Sequence, residues 1–197
     1  MEIRLNGIGK KYAGRWIFRN LNQVLVSGCR VAVTGHNGSG KSTLLQIISG
    51  FITASEGQVL LNKQIERNRI LSSVITAPYL DLPEELTLNE LTNFYFRFKK
   101  MRLQILDCLQ ECKLRDYIHL PLKQFSSGMK QKVKLSLTFS SEADVYIFDE
   151  PCSHLDEDSV NWYKEKFIRL PLKSIVLVGS NSVQSEILNC NQTINLA

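Results

Sequence analysis

Residues 30–50 read Arg-Val-Ala-Val-Thr-Gly-His-Asn-Gly-Ser-Gly-Lys-Ser-Thr-Leu-Leu-Gln-Ile-Ile-Ser-Gly, a strand, a glycine-rich loop and a helix in succession. Residues 30–34 are short, β-branched and glycine-bounded, the pattern of a buried strand. From Lys41 to Ser49 the apolar residues Leu44, Leu45, Ile47 and Ile48 recur on one side of a helix, and Gly50 supplies its stop. Between strand and helix stands Gly35-His36-Asn37-Gly38-Ser39-Gly40-Lys41-Ser42, followed by Thr43. Gly35 and Gly40 let the backbone turn where a side chain would clash. The amides of such a loop point inward and cradle phosphate oxygens, and the helix N-terminus adds positive potential. Lys41 then reaches the β- and γ-phosphates of a nucleotide, and the Ser42 hydroxyl is placed to ligate Mg²⁺.

On either side of this stretch, residues 3–8, 23–26, 58–62, 145–148 and 174–178 read as strands, and helical periods fill 85–119 and 128–140. Strands alternating with helices, with apolar runs throughout, imply a parallel sheet covered on both faces. The expectation is one domain spanning 1–197, with an N-terminal antiparallel β portion and a helical insertion at about 80–140.

Two further motifs carry chemistry. Val145-Tyr146-Ile147-Phe148-Asp149-Glu150-Pro151 is an apolar strand ending in two carboxylates, at the sheet edge where open α/β sheets bind ligands. Asp149 would hold Mg²⁺, directly or through water. Glu150 would polarise the attacking water as general base. Phe125-Ser126-Ser127-Gly128-Met129-Lys130-Gln131-Lys132 opens a helix, with Ser126 or Ser127 as its N-cap. Free amides there favour an anion, and the lysines add to this.

Composition sets the outer bounds. The 197 residues are 44% hydrophobic and 22% charged, an ordinary globular balance that argues against disorder. The net charge of +5 is spread along the chain and not gathered in one block, which favours solvated lysines over a nucleic-acid surface. No apolar run is long enough to span a bilayer, and residues 1–4 carry no apolar signal region, so the expected compartment is the cytosol. The five cysteines have no paired spacing; Cys108 and Cys112 share a helix face and read as buried thiols.

From about residue 2 to 190 the chain resembles the nucleotide-binding subunit of an ATP-binding-cassette (ABC) transporter. Residues 35–42 resemble its Walker A loop, and Asp149 and Glu150 its Walker B pair. Residues 125–129 resemble its signature, usually Leu-Ser-Gly-Gly-Gln, with Ser126 and Gly128 kept. Ser153-His154-Leu155-Asp156 looks like the D-loop. Tyr12, 23 residues before Gly35, is placed like the aromatic that stacks on adenine, with Trp16 as a second candidate. The resemblance implies a P-loop NTPase core that takes ATP and Mg²⁺. It further implies a head-to-tail homodimer or heterodimer sandwiching two ATP molecules, and a separate integral membrane permease that holds the subunit at the inner membrane face. Nucleic acid is not an expected partner.

The chain also departs from that pattern. Tyr79 stands where the family has glutamine, Asn181 where it has a switch histidine, and Ser127 and Met129 replace signature glycine and glutamine. An asparagine hydrogen-bonds a γ-phosphate but carries no proton at neutral pH. ATP-driven transport, in the direction of export, is the leading expectation. A slow ATP-gated clamp and a soluble ABC protein acting on ribosomes or DNA are the alternatives.

Overall fold

The computed structural model describes residues 1–62, 72–181, 184–187 and 189–196. They fall into two compact units, the first holding 1–75, 144–150 and 171–197 and the second 76–143 and 151–170.

The first unit carries both sheets. Strands β1 (Glu2–Tyr12), β2 (Arg15–Val26) and β4 (Glu56–Leu61) form an antiparallel sheet in the order β2-β1-β4. β1 and β2 run further than the expected 3–8 and 23–26. Tyr12 pairs with Arg15 across a two-residue turn in which Ala13 (φ 46°) and Gly14 (φ 80°) are both left-handed. That turn matches the twist of the flanking strands. Much of β2 is exposed, and its apolar residues do not alternate regularly with polar ones, so no alternation announced it.

The second sheet has the order β5-β6-β7-β3-β8, from β3 (Arg30–Thr34), β5 (Ser73–Thr76), β6 (Val145–Asp149), β7 (Ile175–Gly179) and β8 (Gln192–Asn195). β6, β7, β3 and β8 pair in parallel. Every residue of β6 and β7 is buried, which is why both read as unbroken apolar runs. The register fixes the chemistry: Val33 and Asp149 both pair with Gly179. The carboxyl ends of three neighbouring strands are therefore level, and the loops leaving them emerge side by side.

Helix α1 (Lys41–Ser49) packs on this sheet through Leu44, Leu45, Ile47 and Ile48, each at most 1% exposed. Burial of such a side chain stabilises by about 1.5–3 kcal/mol, so Leu45→Ala would open a cavity under the site. Gly50 ends α1 at φ 84°, donating to the carbonyls of Gln46 and Ile47.

The second unit is helical. The expected run at 85–119 is divided into α2 (Leu88–Tyr95), α3 (Ile105–Glu111) and a 3-10 turn at Arg115–Tyr117. Local chemistry makes the division: a capping box between Thr87 and Glu90 starts α2, and a left-handed Lys113 (φ 60°) follows α3. Helix α4 (Ser127–Ser140) is N-capped by Ser126, whose Oγ accepts from the Met129 amide at 3.2 Å. Asp156 caps α5 (Glu157–Ile168) by accepting from the Ser159 amide at 2.9 Å. α4 and α5 meet through Phe139, edge-on to Trp162 with centroids 5.8 Å apart. A short helix α6 (Gln184–Ile187) belongs to the first unit.

Cys108 and Cys112 are buried free thiols, and the Cys112 pKa is pushed up to about 11 by burial. No group of three or more metal-ligating side chains occurs among the described residues. No helix among them is long and apolar enough to cross a membrane.

Candidate active site

The loop at 35–42 leaves β3 and winds tightly into α1. A side chain at Gly35 (φ 147°) would meet the Leu196 carbonyl at 2.3 Å, and one at Gly40 (φ 100°) would meet Ile17 at 2.5 Å and the Phe18 ring at 2.8 Å. Both positions thus demand glycine for conformation and for space. Lys41 is 6% exposed and curls back over the loop, donating from Nζ to the carbonyls of Gly35 (2.9 Å) and His36 (3.0 Å). The Ser39 amide donates to the His36 carbonyl at 3.1 Å, while the Ser39 Oγ is buried without a partner. A cleft of about 200 Å³ opens between residues 37–38 and 40–43, Ile17 and Glu150.

Asp149 sits at the floor of this region, 1% exposed. Neither of its carboxylate oxygens meets a hydrogen-bond partner in good geometry. Burial pushes its pKa up to about 6; the Ser42 hydroxyl and the Lys41 ammonium relieve it only in part, and Glu150 adds repulsion. An orphaned buried carboxylate beside a serine hydroxyl fits a divalent cation: hard oxygen ligands suit Mg²⁺, and the metal would remove the burial penalty.

Glu150 follows with a left-handed backbone (φ 47°), fixed by its amide donating to the Gly179 carbonyl at 2.9 Å. This turn aims the side chain at the cleft, where Glu150 is half-buried. Its Oε1 accepts from the Asn181 Nδ2 at 2.9 Å. Asn181 was expected to address a phosphate; here its amide addresses the carboxylate.

The register separates the two aromatic candidates. Lys10 pairs with Phe18, Lys11 with Trp16 and Tyr12 with Arg15. Opposed residues share a face, and residues two apart on a strand share one too. Tyr12 therefore lies on the face of Phe18, which touches Gly40 of the loop, and Trp16 lies on the other. Trp16 covers Gly9 and is flanked by Arg19 and Lys11 at 4.5 and 5.4 Å from its ring centroid. Tyr12 is 49% exposed.

In the second unit, a side chain at Gly128 would meet the His154 carbonyl at 2.7 Å, so the start of α4 is closely docked on the 153–156 loop. Residues 126–129, Lys132 and 154–156 line one open cleft. Tyr79 is 39% exposed, and the carbonyls before it, of Ala77 and Pro78, accept from Lys134 Nζ at 3.2 and 3.5 Å. Sequence reasoning passed over Lys134; the signal it offered was a lysine among the apolar residues of α4. Ile17 was also missed, because a bulge in β2 takes it out of alternation.

Fold and loop together define an ATP-binding α/β ATPase. Residues 18–153 match the family model described as ABC transporter. The ribosome protection protein VmlR of Bacillus subtilis is 29% identical over 94% of this chain, which spans only 36% of VmlR. The cytochrome c biogenesis ATP-binding export protein CcmA of Brucella abortus is 31% identical over 81% of this chain and 75% of its own length. The bacterial ABC transporter cassette MJ0796, solved as a dimer, superposes with a TM-score of 0.83 at 20% identity, over 98% of this chain and 93% of that one. The chain belongs to the ABC transporter family, as an ATP-hydrolysing subunit.

Proposed function

We propose that this chain powers an exporter, working as a dimer of ATPase subunits on the cytoplasmic face of a separate membrane permease. The observation that carries the catalytic part is the pairing of an orphaned, buried Asp149 with a Glu150 turned into the phosphate-loop cleft. In this reading the amides of residues 35–43 hold the phosphates, and Lys41 leaves its two carbonyls to meet the β- and γ-phosphates. Ser42 and Asp149 would hold Mg²⁺, which would supply positive charge against the phosphoryl oxygens. Glu150 takes a proton from water as the water oxygen bonds to the γ-phosphorus. The bond from that phosphorus to the bridging oxygen breaks, leaving ADP and phosphate. Asn181 steadies Glu150 and, once the site is filled, faces the γ-phosphate. Tyr12 stacks on the base. Ser126 and Gly128 complete the site of the partner subunit, so two chains are needed for turnover. Export is favoured by the likeness to CcmA, whose description names export.

The test is phosphate release from MgATP by the purified chain, alone and with the permease that co-purifies with it. Turnover no faster than that of Glu150→Gln would overturn the catalytic assignment. The likeness to VmlR favours a second reading, a ribosome-acting ABC protein. Co-sedimentation with ribosomes, in place of co-purification with a membrane protein, would select it.

A further inference from the structure

Lys10 is half-buried in β1, two residues before Tyr12 and on the same face. Its Nζ donates to the Thr53 carbonyl at 2.8 Å and lies 5.0 Å from the centroid of the Tyr12 ring. The loop that holds it is itself fastened to β1. The Ser55 amide donates to the Gly9 carbonyl at 2.8 Å, and the Lys11 amide donates to the Ser55 Oγ at 3.2 Å. The ammonium is thus held by a backbone carbonyl, at a distance where a cation is attracted to an aromatic face.

We infer that Lys10 is a positioning residue for the nucleotide base: its ammonium covers one face of Tyr12, fixes the ring, and leaves the opposite face as the stacking platform. The inference rests on the proposed stacking of Tyr12 on the base. A half-exposed tyrosine at the tip of a hairpin otherwise explores several rotamers, and binding must then order it. Lys10 orders it beforehand. The Thr53 carbonyl matters equally, since without it the flexible lysine stem would itself need ordering. The effect is confined to the base, because Lys10 is absent from the lining of the phosphate-loop cleft.

The experiment measures dissociation constants by calorimetry for MgATP and for inorganic tripolyphosphate, which has phosphates but no base. The proteins are the wild type, Lys10→Met, Lys10→Arg, Tyr12→Ala and the Lys10→Met/Tyr12→Ala double variant. Lys10→Met keeps the length of the stem and should weaken MgATP binding about three- to fivefold. Tripolyphosphate binding should be unchanged, and Lys10→Arg, which keeps a cation over the ring, should bind MgATP like the wild type. In the Tyr12→Ala background, Lys10→Met should have no effect. Equal weakening of both ligands would make Lys10 a phosphate contact and overturn the inference, as would unchanged MgATP binding by Lys10→Met. If Tyr12→Ala binds MgATP like the wild type, the stacking reading itself fails. If Tyr12→Ala weakens binding and Lys10→Met does not, only the role of Lys10 fails.

Discussion

Replacing Asp149 by asparagine should stabilise the nucleotide-free protein while destroying its use of MgATP. The shift of the Asp149 pKa from 3.8 to about 6 means that folding disfavours the ionised form. About two pKa units at 1.36 kcal/mol each amount to roughly 3 kcal/mol against the carboxylate near neutral pH. The sign follows from proton counting. Between about pH 4 and pH 6 the folded chain holds a proton that the unfolded chain has released. Stability from this group is complete below about pH 4 and is lost as pH rises to about 6. The asparagine side chain has the same shape, no charge and no such loss. For a chain of this size 1 kcal/mol moves Tm by about 2–4 °C, so Asp149→Asn should melt roughly 6–12 °C above wild type at pH 7.5 in EDTA. The gap should close as the pH is lowered towards 4. MgATP should close most of the gap at pH 7.5, because ligand at a hundred times its Kd stabilises only the wild type, by about 2.7 kcal/mol. Thermal denaturation across pH, with and without MgATP, reads all three outcomes. A gap that is absent at pH 7.5, or constant across pH, would refute the reasoning.

The other outcomes concern the loop, the base and the second unit. Lys41→Ala should leave the fold intact, since its ammonium bonds only two loop carbonyls, and weaken MgATP binding at least tenfold by calorimetry. Glu150→Gln should reduce phosphate release by about 10²–10⁴-fold and trap an ATP-bound dimer visible by light scattering. Asn181→Ala removes one hydrogen bond to Glu150, about 0.5–1.5 kcal/mol, and should slow steady-state phosphate release up to roughly tenfold. Asn181→His should change that rate little, and a hundredfold gain would favour the slow, clamp-like alternative. Gly128→Ala should force the 153–156 loop away from α4, costing about 1–3 kcal/mol in chemical denaturation.

The candidate site was legible where its sequence pattern is local. The loop at 35–43, the helix behind it and the acids at 149–150 are contiguous in sequence, and each dictates its own backbone. What stayed hidden depends on pairings between distant segments. The bond from Asn181 to Glu150 joins residues 31 apart and exists because Glu150 adopts φ 47°. The spacing before Gly35 already put Tyr12 ahead of Trp16, but that the two lie on opposite faces needed the strand register and the bulge at Ile17, neither of which leaves a periodic trace. The long exposed reach of β2, the division of 85–119 and the strand β8 were likewise set by pairing, caps and a left-handed residue, against which apolar period alone is silent.

The level ends of β3, β6 and β7 have a consequence for how this chain tolerates changes of length. Each residue advances a strand by about 3.3 Å, and a slip of one also inverts every side chain between the two faces. Deleting a single residue inside β7 would carry Gly179, the carbonyl that anchors Glu150 and the start of Asn181 out of line with Asp149 together. The same deletion in the turns at the amino ends of these strands, such as 27–28 or 171–173, leaves the alignment intact. Insertions and deletions compatible with activity should therefore gather at one rim of the sheet, and a scan of single-residue deletions would trace the other rim as a line of null variants.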